Sequence, residues 1–143
     1  MAHIRQNIRS RVVTLLNEVS SLNSKVFASR IYTLEESNLP CACVYTQEET
    51  SEVITISPPR TVEKNLELNI EVYVKAENFT SEIEPLLKDI KEKLASDTTL
   101  NNLAKDSYLE SQILNYNSEG DKNIATAILT FVVCYHHREG TLN

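Results

Sequence analysis

Residues 66–75 of the chain read Leu66-Glu67-Leu68-Asn69-Ile70-Glu71-Val72-Tyr73-Val74-Lys75, with an apolar residue at every even position. A period of two is typical of a β-strand that has one dry face and one wet face. Such strands belong to antiparallel sheets with one open face, whereas the strands of a doubly wound parallel sheet are apolar on both faces. The pattern therefore excludes the cofactor-binding doubly wound architecture and predicts an α+β domain.

Two amphipathic helices flank this strand in the sequence. Residues 3–21 carry apolar side chains at helical spacing and predict the first helix. The second begins after Ser81-x-x-Glu84, which matches a capping box, and places Pro85 in its first turn. The two apolar stripes are Ile4, Ile8, Val12, Leu15, Leu16 and Val19, and Ile83, Leu86, Leu87, Ile90 and Leu94. Because both stripes need a dry surface, we expect the two helices on one face of the sheet.

Five segments have strand character, and two polar segments interrupt them. The predicted strands are 26–32, 41–46, 62–76, 108–116 and 124–136. Residues 47–60 read as a long irregular loop, acidic first and then broken by Pro58-Pro59, and 117–121 as a turn. Residues 128–133 are apolar on both faces, so the last strand is predicted to be internal. We expect a mixed, mainly antiparallel sheet with two helices packed on one face, in a single domain spanning residues 1–143.

Composition and charge exclude several classes of protein. The net charge is −6, which argues against broad binding of nucleic acid through its phosphates. Only two glycines are present, too few for a phosphate-cradling loop. The N-terminus has no apolar leader, and no apolar run approaches the length of a membrane span.

The three cysteines raise the possibility of a metal site. An odd number of cysteines without a leader predicts reduced thiols. Cys41 and Cys43 share one strand face, and Cys134, His136 and His137 could complete a ligand set, although only one of the two histidines can share a face with Cys134. Zinc-binding cysteine pairs usually lie two to four residues apart on a turn, so buried free thiols are the favoured interpretation. We therefore predict no metal and no cofactor.

No arrangement in the sequence indicates catalysis. A nucleophilic Cys43 or Cys134 would need a nearby base, and His136 alone lies close to Cys134 in sequence. The paired acids Glu48-Glu49 and Glu35-Glu36 lie in polar segments, where carboxyl groups keep ordinary pKa values. We predict no catalytic residues and no enzymatic activity.

Two charged surfaces are candidates for contacts instead. Arg5 and Arg9 are four residues apart and share a helix face, which is either solvated or in contact with an acidic neighbour. The candidate acidic partners are Glu48, Glu49 and Glu52. Glu67 and Glu71 on the wet face of the long strand are either solvated or form an acidic surface that faces a channel or a neighbouring subunit.

Several segments resemble a known family. They are Val26–Tyr45, Ile4-Arg5-x-x-Ile8-Arg9, the alternating Leu66–Val72, Leu103-Ala-Lys-Asp106, and Ala127–Tyr135. In this order they resemble the tail terminator proteins of long-tailed phages, also called minor tail protein U or tail completion proteins. The resemblance runs through nearly the whole chain and rests on packing and turn patterns.

The resemblance implies a structural role in a virion. It implies a homohexameric ring, assembled in the host cytoplasm, that sits on the head-proximal end of the tail tube, stops tube polymerisation and provides the attachment surface for a head–tail connector or head-closure protein. DNA would pass through the lumen without specific binding, so Glu67 and Glu71 are possible lumen-facing acids. Two alternatives remain open: another phage neck, head-closure or tube-like component, and a small cytosolic ligand-binding or enzymatic α+β domain.

Overall fold

Two helices and five strands form the part of the chain that is described by a computed structural model, which covers residues 4–19, 26–27, 41–75, 79–115 and 124–138. The helices are α1 (Ile4–Asn17) and α2 (Phe79–Ala95). The strands are β1 (Val26–Phe27), β2 (Cys41–Val53), β3 (Thr61–Lys75), β4 (Asp106–Asn115) and β5 (Ile124–Arg138). The chain order is α1, β1, β2, β3, α2, β4, β5.

The strands form one sheet in the order β1-β2-β3-β5-β4. β1 runs parallel to β2, and every other neighbouring pair is antiparallel. The prediction of a mixed, mainly antiparallel sheet is confirmed. The last strand, β5, has neighbours on both sides, as its apolar residues on both faces predicted.

One hydrophobic core joins both helices to the same sheet face, which confirms the predicted arrangement. The alternating side chains Leu66, Leu68, Ile70, Val72 and Val74 of β3 are at most 1% exposed. The helix stripes pack in the same core cluster and include all eleven apolar positions singled out from the sequence. Burying one side chain of this size contributes roughly 1.5–3 kcal/mol, so this face supplies much of the driving force for folding.

The opposite face of the sheet differs from the sequence prediction at its centre. Asn69 and Glu71 are only 3% and 2% exposed, so the expectation of a continuously wet face is wrong here. Tyr45 from β2 and Tyr73 from β3 each donate a hydrogen bond to the Glu71 carboxylate. The period of two identifies which residues share a face, but it does not report what covers that face.

The connection between β2 and β3 is much shorter than predicted. Residues 47–53 belong to β2 and pair with β3 as far as Val53 opposite Val62, so only residues 54–60 are left for the turn. Gln47 and Glu48 together lie opposite Glu67, which is a β-bulge. The sequence prediction of a 47–60 loop was wrong because residues 47–53 are exposed except for the partly buried Glu49 and have no apolar alternation that would indicate a strand.

Element ends also differ from the predictions. α1 ends at Asn17, and α2 begins at Phe79, so Ser81 is inside the helix rather than at its cap and Pro85 falls in the second turn. Of the strand predicted at 26–32, Val26 and Phe27 are confirmed, and the remainder lies outside the described residues, as does the predicted turn at 117–121.

The turn after α2 is stabilised by the burial of Leu100 and by the contacts of the Asp97 carboxylate. Leu100, Asn101 and Asn102 all have positive φ, a conformation that is more costly for leucine than for asparagine. Burial of Leu100, which is 1% exposed, offsets the cost of its conformation. Asp97 accepts the Asn101 N–H at 3.1 Å and two bonds from Arg11 of α1 at 2.9 Å. The Asn101 N–H and the Arg11 charge outweigh desolvation and lower the pKa of Asp97.

Replacing Leu16, which is fully buried, should destabilise the domain far more than replacing its exposed neighbour Asn17. We expect Leu16→Ala to cost about 2–5 kcal/mol of unfolding free energy and Leu16→Asp to cost more, since an unpaired charge enters the core. The matched control Asn17→Ala should change it by less than about 0.5 kcal/mol. Urea unfolding measures all three, and equal effects at positions 16 and 17 would contradict the assigned helix face.

Candidate functional site

The face of the sheet opposite the helices, called the open face below, carries several groups of interacting polar side chains. The strand registers place alternate residues of β2, β3, β5 and β4 side by side on it. Three features lie along this face: a buried polar row, an acidic depression, and a cluster of Glu63, Cys134 and His136.

The buried polar row crosses the middle of the open face. Besides the Glu71–tyrosine contacts, Asn69 donates to Gln47 Oε1 at 2.9 Å and accepts from Thr130 Oγ1 at 2.8 Å. The row therefore links β2, β3 and β5 through side chains as well as through the backbone ladder. Glu71, predicted from the sequence to be solvated or lumen-facing, is held inside this row by Tyr45 and Tyr73.

The acidic depression lies beside this row. It has a volume of about 530 Å³, and its lining includes the carboxylates of Glu48, Glu67 and Glu110. The rest of the lining is Asn65, Leu66, Thr50, Tyr108 and Val132, so none of the described residues that line it is a lysine or an arginine. Small-molecule sites are mostly apolar and enclosed. The acidic depression is open and lined by carboxylates, so it differs from such sites and repels anions such as phosphate.

The helix face of the sheet holds a separate ion cluster around Glu49. Glu49 contacts Lys64 Nζ at 3.1 Å, accepts from Tyr135 Oη at 2.7 Å, and lies 3.9 Å from Arg5 Nε. Burial alone raises the pKa of Glu49, but the Tyr135 and Lys64 hydrogen bonds and the charges of Lys64 and Arg5 outweigh it and leave the pKa lowered. Burial and the Glu49 contact raise the pKa of Tyr135.

The structure separates the charged residues that the sequence analysis grouped together. Arg5 and Glu49 do meet, but within one chain, whereas Glu48 lines the acidic depression and Glu52 lies opposite Glu63. Arg9, on the same helix, has no acidic partner among the residues that the structure describes. The β-bulge explains the separation, because it puts Glu49 on the helix face, on the same side as Leu66.

The third feature of the open face is the cluster of Glu63, Cys134 and His136. The Cys134 thiol donates to Glu63 Oε1 at 3.2 Å, and His136 Nε2 lies 3.4 Å from the same oxygen. Burial, followed by the hydrogen bond and charge of Glu63, raises the pKa of Cys134 to about 11. The hydrogen bonds from Cys134 and His136 lower the pKa of Glu63.

The metal site considered from the sequence does not form. Cys43 pairs with Glu71 and Cys134 with Asn65, six positions apart along β3 or roughly 20 Å, so Cys41 and Cys43 cannot share an ion with Cys134. Cys41 and Cys43 are buried and belong to no disulfide of the described residues, as predicted. His136 shares the face of Cys134, and His137 lies on the other, as alternation required. Glu63 was missed, because only the strand register brings it to Cys134.

Exposed apolar residues mark two further surfaces. The tip of the β2–β3 hairpin exposes Val53, Ile54 and Ile56, the last by 93%. On the edge strand β4, Tyr108 and Ile113 are each more than half exposed. Apolar side chains grouped at a protruding tip or a sheet edge are typical of protein–protein contacts.

Removing the charge of Glu49 should weaken the fold in a pH-dependent way. Because the folded-state pKa of Glu49 is lowered, its contribution is present above the ordinary value of 4.5 and is lost as the pH falls through the folded-state pKa. We expect Glu49→Gln to cost about 1–3 kcal/mol at pH 7 and progressively less below pH ~4.5. Urea unfolding across this range measures it. Glu48→Gln, exposed on the same strand, is the control, and a pH-independent difference would exclude an ionised Glu49 as the cause.

A family model agrees with the resemblance seen in the sequence. The family model described as phage minor tail protein U matches residues 3–135. No curated protein matches the chain. Among solved structures, the chain is similar to one in the virion of a native gene transfer agent (GTA) particle, at 10% identity and a TM-score of 0.41, covering 94% of this chain and 92% of that one.

The family match covers most of the chain and includes every described helix and strand, although β5 continues three residues beyond it. Neither helix in the described part of the chain is long and apolar enough to cross a membrane. The chain therefore belongs to the phage minor tail protein U family and is a structural component of a virion tail.

Proposed function

We propose that this protein is a tail terminator, a ring-forming structural protein that caps the head-proximal end of the tail tube. In this role it stops tube polymerisation and provides the surface to which a head–tail connector or head-closure protein attaches. The observation that carries the proposal is the family match over residues 3–135. The contact surfaces of the described residues support it and suggest how the ring is built.

A homohexameric ring needs a head-to-tail interface made of two different patches of the same chain. The exposed Tyr108 and Ile113 on edge strand β4 offer one apolar patch. The exposed charge of Arg5 and the half-exposed Arg9 on α1 offer a second, cationic patch. Under this proposal, acids of the neighbouring subunit complete the contacts, with Glu48 and Glu52 as the exposed candidates.

The β2–β3 hairpin is the proposed contact to the tube or the connector. Its ladder continues past the bulge to Val53, and the Ile54 N–H still donates to the Thr61 carbonyl at 3.0 Å. The Thr61 N–H in turn donates to Thr55 Oγ1 at 2.7 Å. These hydrogen bonds order the hairpin close to its tip, where the Ile56 side chain is exposed to solvent. Burial of Ile56 against a partner protein would remove its apolar surface from water.

The chemistry of the open face suits a surface past which DNA slides. Glu48, Glu67 and Glu110 present negative charge, and the described residues that line the depression include no cation. A lumen lined in this way repels the phosphate backbone and does not retain DNA. Glu67 therefore remains a proposed lumen-facing acid, while the buried Glu71 would act by holding the strands beneath that surface.

We also propose that the protein has no enzymatic activity. The partly exposed Cys134 thiol on the open face has its pKa raised to about 11, so it is protonated near neutral pH and is a poor nucleophile. The depression beside it is open and polar, unlike an enclosed substrate pocket. These features disfavour the alternative of a small ligand-binding or catalytic domain.

The remaining alternative is another neck or head-closure component. The two roles predict different tails when the protein is missing. Without a terminator, tube subunits continue to add and tails exceed their normal length. Without a neck component, tails have normal length but stay unjoined to heads. Tail lengths measured by negative-stain microscopy of a lysate that lacks this protein therefore decide between them.

Two single substitutions should separate ring closure from docking. We expect Ile113→Asp to prevent hexamer formation, and Ile56→Asp to leave the hexamer intact but abolish capping of tubes. Both side chains are exposed, so neither change should lower stability by more than about 0.5 kcal/mol. Native mass spectrometry measures the ring, and tube length measures capping. Lys88→Gln on the exposed face of α2 is the control, because it lowers the net charge by one, as each of the two substitutions does. A protein that is monomeric both alone and in intact tails would contradict the ring.

Reversing charge in the acidic depression should make the ring hold DNA. We expect Glu48→Lys combined with Glu67→Lys to keep the fold, because neither side chain is buried, and to produce salt-dependent DNA binding. Glu84→Lys together with Asp89→Lys, both exposed on α2, changes the net charge equally and serves as the control. DNA retention at several salt concentrations is the measurement. If both double variants bind equally, or neither does, the open face does not line the channel.

A further inference from the structure

We propose that Glu63, Cys134 and His136 form a binding site for a borderline-soft divalent transition-metal ion, with Zn²⁺ as the best match. One carboxylate, one thiol and one imidazole are the ligand types that zinc sites combine. None of these three ligands is among the residues proposed for ring contacts, although Glu52, which lies opposite Glu63, is one of the acids proposed for them.

The spacing of the three ligand atoms already approaches that of a metal site. Glu63 Oε1 lies 3.2 Å from Cys134 Sγ and 3.4 Å from His136 Nε2, and all three atoms lie within 4.8 Å of one another. Ligands bound at 2.0–2.3 Å to one tetrahedral ion are roughly 3.3–3.8 Å apart. Two of the three separations are therefore close to those of a bound ion, and the third, between Cys134 Sγ and His136 Nε2, is within 4.8 Å.

The strand register holds these three side chains on rigid backbone. Glu63 of β3 lies directly opposite His136 of β5, and Cys134 is two residues earlier on β5, on the same face. The Cys134 carbonyl accepts the Lys105 N–H at 2.7 Å, which ties this part of β5 to the segment before β4. Ligands on paired strands keep their geometry better than ligands on loops.

The charges around the cluster favour a cation. Glu52 lies opposite Glu63 across β2 and β3, and like charges in directly opposite positions repel. Asp106 lies opposite Cys134 across β4 and β5, and its charge acts on that thiol, as does the single positive charge of Lys105. Glu52, Glu63 and Asp106 therefore place three carboxylates at neighbouring positions of the paired strands, and Lys105 brings a positive charge near the Cys134 thiol.

The cluster is open enough for an ion to enter and to keep a fourth ligand. The side chains of Glu63 and His136 are 30% and 29% exposed. Three protein ligands leave one tetrahedral position for water, or for Asp106 after rotation of its side chain. Binding requires the thiolate, so the ion would displace the proton that Cys134 now donates to Glu63.

The test is metal binding by the purified, reduced full-length protein, using Zn²⁺ and Co²⁺ as probes. We expect one Zn²⁺ per chain after dialysis, measured by elemental analysis, and a thiolate-to-cobalt charge-transfer band with Co²⁺. Loss of an outer partner typically lowers metal affinity about 10- to 100-fold. Cys134→Ser, His136→Ala and Glu63→Gln remove ligands, so each should lower the affinity for Zn²⁺ by at least about tenfold.

Matched controls separate this site from adventitious binding. Cys43→Ser removes a buried thiol at the other end of the sheet, and His137→Gln removes the imidazole on the opposite face. Both should leave the stoichiometry and the cobalt band unchanged. Absence of bound metal, absence of the charge-transfer band, or equal loss in Cys43→Ser would overturn the proposal and leave the cluster as a hydrogen-bonded one only. Circular dichroism of each variant checks that it is folded, and the wild-type cobalt spectrum decides even if a variant is not.

Discussion

The hydrogen-bonded Glu71 carboxylate is the constraint on which the rest of the sheet depends. A carboxylate removed from water destabilises a fold strongly unless donors satisfy it, and here Tyr45 and Tyr73 supply them. The other side of the same strand is packed against both helices through Leu68, Ile70 and Val72. A shift of β3 by one residue would put Glu71 into that core and the leucines into the polar row. The two faces of β3 therefore specify a single register from opposite sides.

The β-bulge at Gln47 and Glu48 changes the face of the sheet on which the following residues of β2 lie. Before the bulge, Tyr45 is on the open face, and after it Glu49 is on the helix face, where it meets Lys64, Tyr135 and Arg5. The cluster around Glu49 links the N-terminal turn of α1 to β2, β3 and β5. Beyond the cluster, the hairpin continues with little apolar support and projects its apolar tip into solvent. One extra residue thus divides β2 into a part that builds the core and a part that is available for contacts.

The two faces of the sheet have different roles in a protein of this family. The helix face holds the fold together, and the open face together with the hairpin tip and the β4 edge carries exposed charge and apolar side chains. Surfaces that carry exposed apolar side chains together with charge are suited to protein–protein contacts, in which charge complementarity contributes specificity. The buried polar row on the open face links β2, β3 and β5 through side-chain hydrogen bonds.

The sequence by itself determined the fold class and the core, and the tertiary structure decided where the charged groups meet. The period of two in β3 and the period of 3.6 in the helices identified the buried residues, because those periods follow from local backbone geometry. The same periods could not show that Glu71 is covered, that residues 47–53 extend a strand, or that Glu63 reaches Cys134 and His136. Each of these facts depends on the register between strands that are distant in sequence. Register is set by packing and hydrogen bonds across the sheet, and no local pattern along one strand contains it.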